Sequence, residues 1–139
     1  MPNRNYVPTF AELVDRLSIV QLKSIFIPGH KAEYDSEIDL ILPDIDAILA
    51  EKEYRLTATD IRAVMMIMLS NRYIWENEGK ARAGGNDQDK LLKLTHSING
   101  VRNTAKNVLA VALGERKDYK IDALASELAA EFGSWDVFK

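Results

Sequence analysis

Apolar residues in the long segments of this chain recur every three or four positions, and almost nowhere do they alternate with polar ones. The clearest case is Leu91, Leu94, Ile98, Val101, Ala105 and Val108, which step by three and four like the seam of a coiled coil. A helix gathers such a set on one face, whereas a strand would scatter it over two. The period therefore predicts an all-α chain, folded as an antiparallel bundle of about four to five helices. The 139 residues suit a single helical domain over 1–139, and a 47% hydrophobic share can fill one core.

Punctuation places the helices. Residues 1–8 read as an irregular N-terminal arm, because Pro2 and Pro8 oppose helix. Thr9 and Glu12 form a capping box ahead of a first helix reaching about Phe26, which Pro28-Gly29 ends. Its apolar face is broad, from Phe10, Leu13 and Val14 to Ile25 and Phe26, as expected of a central helix. A second helix runs from Lys31 or Ala32 to about Glu51, with Pro43 expected to kink it. Thr57 and Asp60 cap a third helix over about 60–82, whose buried half is expected to be Ile61, Val64, Met65, Met68 and Leu69, with Met66 and Ile67 broadening it. Gly84-Gly85-Asn86 is a loop, and the fourth helix ends at Gly114. A last helix fits 122–132, followed by an apolar tail over 133–139.

Composition and motif searches exclude much chemistry. Without cysteine there are no disulfides, iron–sulfur clusters or thiolate zinc sites, which fits a cytoplasmic location. No apolar run approaches the roughly 20 residues that span a bilayer. The two histidines, His30 and His96, lack the carboxylate spacing of helical metal sites, and His30 sits in a turn. Glu33/Glu37 and Asp35/Asp39 could present oxygens to a hard cation, but no matching cluster follows on the third helix, so a solvated acidic face is the simpler account. Phosphate-loop and nucleophile-elbow patterns are missing. The chain reads as a non-enzyme with no catalytic residue, no metal ligand and no cofactor.

Two features stand above background. From Lys90 to Gly114 there is no acidic residue, while Lys90, Lys93, Arg102 and Lys106 are basic. From Lys31 to Glu53 the balance reverses, with eight carboxylates against Lys31 and Lys52. Opposite charge on two helices can set register within a subunit or across a dimer. It can also leave the fourth helix available for an anion. The second feature is a stripe of Asn99, Arg102, Asn103 and Lys106 on one helical face, with His96 beside it. Asparagine is a mediocre helix former, so two beside an arginine look like directional hydrogen-bonding groups. Asn71, Arg72 and Trp75 near the end of the third helix could lie level with that stripe and close a polar pocket between helices three and four. Gly100, in the same stretch, suits close approach of a neighbouring helix.

The stretch 12–23, Glu-Leu-Val-Asp-Arg-Leu-Ser-Ile-Val-Gln-Leu-Lys, resembles the opening of a group of uncharacterised small helical proteins found in phage genomes and near sugar-transfer genes. Their later part carries an Asn-x-x-Ile-Trp-x-x-Glu helix, which the stretch from Asn71 to Glu78 resembles, and then an Ile-Asn step like Ile98-Asn99. The resemblance covers about half the chain. It implies a helical fold and a phage origin, and it transfers no catalytic residue.

The sequence thus leads to a non-enzymatic protein that acts by self-assembly, as a homo-oligomer, or by binding a partner. The alternative is capture of a nucleotide or other phosphorylated small molecule by Asn71, Arg72, Trp75, His96, Asn99, Arg102, Asn103 and Lys106. A membrane is not expected as a partner. Nor is nucleic acid, given a net charge of −3.

Overall fold

A computed structural model of the protein describes residues 4–83 and 88–117. It is all-α. Helix α1 spans Phe10–Phe26, α2 Lys31–Glu51, α3 Ala58–Ala83 and α4 Gln88–Leu113, and a short 3-10 turn at Pro28–His30 joins the first two. The glycine loop at 84–86, the helix expected over 122–132 and the tail at 133–139 lie outside the described residues.

Helix ends follow their capping chemistry. Thr9 Oγ1 accepts the Glu12 amide at 3.2 Å and starts α1. The Glu12 carboxylate does not turn back to complete the box; it pairs with Arg116 at 2.9 Å. At the start of α3 the box is complete: Thr57 Oγ1 accepts the Asp60 amide at 3.2 Å, and Asp60 Oδ2 accepts the Thr57 amide at 2.8 Å. Asp60 also accepts the Tyr54 hydroxyl at 2.6 Å. Helix α4 closes in a Schellman motif, with Glu115 N–H on the Ala110 carbonyl, Gly114 N–H on that of Val111, and Gly114 at φ +67°. Helix α2 runs through Pro43 unbroken.

Helices α3 and α4 form an intimate hairpin, and α1 lies against both. Helix α2 packs along α1 and makes no close backbone approach to α3 or α4. Phe10, Ala11 and Val14 of α1, Ala63 and Ile67 of α3, and Ala105, Leu109 and Leu113 of α4 make the main core, with Ile45, Ile48 and Leu49 at the end of α2 packed on it. A smaller cluster of Ile74, Ile98 and Val101 lies further along the hairpin.

The phase of α3 departs from expectation. Its buried residues are Asp60, Ala63, Ile67, Ser70, Asn71, Ile74 and Asn77, whereas Ile61, Met65 and Leu69, expected inside, are 50%, 60% and 63% exposed. The inward face carries small residues, Ala63 and Ser70, and it meets an α4 whose buried positions include Ser97, Gly100 and Ala105. Small residues on both sides let two helix backbones approach closely, and the distance between helix axes follows the side chains at the contact. Ile61, Met65 and Leu69 are left pointing outward.

Candidate functional site

A polar layer separates the two apolar clusters, and its hub is Asn71. Asn71 is buried on α3 and uses both ends of its amide. Its Nδ2 donates to Asp15 Oδ1 at 2.8 Å and to Ser18 Oγ at 2.5 Å, and its Oδ1 accepts Arg102 NH1 at 3.0 Å. Ser18 in turn donates to the Asp15 carbonyl one helical turn back, at 2.8 Å. The second Asp15 oxygen faces Lys106 Nζ at 3.6 Å, with both side chains largely buried. The polar face of α4 thus finds its counter-ion on α1, in Asp15. Among the described residues no ion pair joins the acidic α2 to α4; Glu37 pairs with Arg16 at 2.5 Å, and Asp35 with Lys31 at 2.7 Å. The Lys31 ammonium and the Ser24 hydroxyl, both bonded to Asp35, hold its carboxyl below the usual carboxylate value.

Beside the layer, where α1 and α3 face each other toward their C-terminal ends, lies a cleft of about 390 Å³. Ile19, Leu22 and Lys23 of α1, Asn71, Ile74, Trp75 and Glu78 of α3, and Arg102 of α4 line it. The Trp75 ring meets Phe26 edge-on at 6.0 Å. Arg102 Nε is buried and has no hydrogen-bond partner.

The eight residues singled out by the sequence separate into three groups. Asn71, Trp75 and Arg102 converge on the cleft, which opens between α1 and α3 rather than between α3 and α4. Lys106 joins them through Asp15. Arg72 turns outward, paired with Glu76 at 2.9 Å and stacked 4.2 Å from the Phe26 ring centroid. Asn99 and Asn103 are half-buried on α4, and His96 is exposed. Sequence reasoning missed Asp15, Ser18 and Lys23, all on α1. No sequence signal sets Asp15 and Ser18 apart, because Glu12, Arg16, Gln21 and Ser24 make polar residues common in the same helix.

Among the described residues no group of three or more carboxylates and histidines could hold a metal, and no helix is long and apolar enough to cross a membrane. No protein-family model, curated protein or solved structure matches the chain.

Proposed function

We propose that this protein acts without catalysis, by assembling with copies of itself through the outer face of α3. The observation that carries the proposal is the row formed by Ile61, Met65 and Leu69, one helical turn apart and 50–63% exposed, with Tyr73 continuing it. Contiguous apolar surface of this kind is costly in water and marks contact sites. A helix that is apolar on both faces is normally covered on both. A second copy is a natural cover, because a row with even spacing is self-complementary about a two-fold axis: with the axis at Met65, Ile61 of each copy lies beside Leu69 of the other. Charge supports the same reading. Glu33, Asp39, Asp44 and Asp46 on α2 and Lys90 and Lys93 on α4 are exposed. Opposite charges that do not meet within one chain can meet between two.

Sedimentation velocity of the full chain at tens of micromolar tests this. The expected result is a dimer or larger species, with Met65→Glu/Leu69→Glu running as a monomer. Both positions are exposed in the single chain, so the variant should keep its helix content and lose no more than about 1 kcal/mol of monomer stability. A wild type that stays strictly monomeric overturns the proposal.

A further inference from the structure

The cleft between α1 and α3 carries chemistry that assembly through α3 does not use. Arg102 is fixed there at one end, its NH1 held at 3.0 Å by an Asn71 carbonyl that is itself locked by Asp15 and Ser18. Asp15, the carboxylate of that network, divides its two oxygens between Asn71 and Lys106. Among the described residues no carboxylate pairs with Arg102, and its Nε has no acceptor. Lys23, on the facing wall, stands 5.9 Å from the Tyr34 ring centroid, a cation–π contact that does not neutralise its charge. A chain of net charge −3 therefore concentrates two cations on one concave surface, against the single carboxylate of Glu78. Half-buried charge without a counter-charge is unfavourable, and a bound anion relieves it. The remaining walls are apolar: Leu22, Ile74 and the Trp75 indole.

We infer that this cleft binds a small organic anion with one charged end, a carboxylate or a phosphate monoester, on a planar or aliphatic body. The anionic end meets Arg102 and Lys23, and the body lies on Trp75, Ile74 and Leu22. A volume of about 390 Å³ falls at the small end of ligand sites. Two cations in one cleft suit a single carboxylate or phosphate group better than a polyphosphate.

Isothermal titration of the full chain tests this with four probes: indole-3-acetate, adenosine monophosphate, inorganic phosphate and adenosine triphosphate. Saturable binding of indole-3-acetate or adenosine monophosphate is expected, and which of them binds tells carboxylate from phosphate. Inorganic phosphate and the triphosphate should bind at least about tenfold more weakly, the first for want of a body and the second for excess charge. Lys23→Ala and Arg102→Gln should each weaken the binding about tenfold, the loss of one charge-assisted contact. Lys23 lies outside the polar layer, so its variant carries the test even if Arg102→Gln loosens the fold. Met65→Glu on the outer face of α3 should leave the affinity unchanged, which separates this site from assembly. No heat with any probe overturns the inference. So does binding untouched by Lys23→Ala, or inorganic phosphate or the triphosphate binding as tightly as the better of the two organic probes.

Discussion

Asn71 shows how much one side chain can hold in place. It links α1 and α4 through α3, and each partner depends on it for a hydrogen bond inside the protein. Removing one member of a buried bond costs about 1–3 kcal/mol, because the other is left without solvent or partner. Asn71→Ala takes one hydrogen bond from each of Asp15, Ser18 and Arg102 and should destabilise the chain by about 3 kcal/mol in urea unfolding. Ser70→Ala, on the same helix but with a hydroxyl that takes no part in the polar layer, should cost much less. Arg102 could be read from sequence because it stands among asparagines, which are mediocre helix formers, and Asn71 because it lies near the end of the third helix, level with that stripe. Asp15 could not, since only the packing shows that it lies toward α4 rather than solvent. Tyr54 carries a second residue-scale consequence. Its hydroxyl donates to the Asp60 carboxylate, and that bond, with some burial, raises its pKa above the ordinary 10.0. A phenol raised in the folded state stabilises fully below its unfolded pKa, and the contribution fades as pH climbs through about 10 toward the folded value. Wild type should therefore lose its stability advantage over Tyr54→Phe above about pH 10, as read by urea midpoints along a pH series.

At the scale of the helices, the period was legible and the phase of α3 was not. Helices α1, α2 and α4 begin and end close to where their caps and glycines place them. Leu94, Ile98, Val101 and Ala105 bury the seam that their spacing announces. In α3 Ile61, Met65 and Leu69 line the outer face, while Ile67 and Ile74 share the inner one with Ala63, Ser70 and Asn71, and a rule that equates bulk with burial does not choose between the two sides. Ala63 and Ser70 are buried because they permit a close crossing, Asp60 because it caps the helix, and Asn71 because it ties the layer together. These reasons arise from neighbours that a single segment of sequence does not display. Helix α2 presents the opposite difficulty. Its spacing reads as amphipathic, yet Ile41 is its only buried residue, and Leu40 and Leu42 are exposed.

The whole molecule is accordingly a three-helix body with a helix laid against one side. Helices α1, α3 and α4 share the main core and the polar layer, and α3 and α4 share the smaller apolar cluster. Helix α2 is held by its C-terminal apolar turn and by the Arg16–Glu37 and Ser24–Asp35 contacts with α1. Exposed ion pairs contribute about 0–1 kcal/mol each, so little fixes the first half of α2. Native-state hydrogen exchange should show amides in the first half of α2 opening at least about tenfold more readily than those at the centres of α1, α3 and α4. Equal protection across all four helices would contradict this division. The segment just after α4 then supplies the last constraint. Phe10 N–H at the head of α1 is accepted by Glu115 Oε1 at 2.9 Å, and Arg116 binds the Val7 carbonyl at 2.6 Å and stacks 3.8 Å from the Tyr6 ring centroid. During synthesis α1 leaves the ribosome first, yet the group that caps its opening amide is made 105 residues later. The α3–α4 hairpin can zip locally as it emerges, while the first helix waits until the fourth has been translated. Birth order and closing order in this protein run in opposite directions.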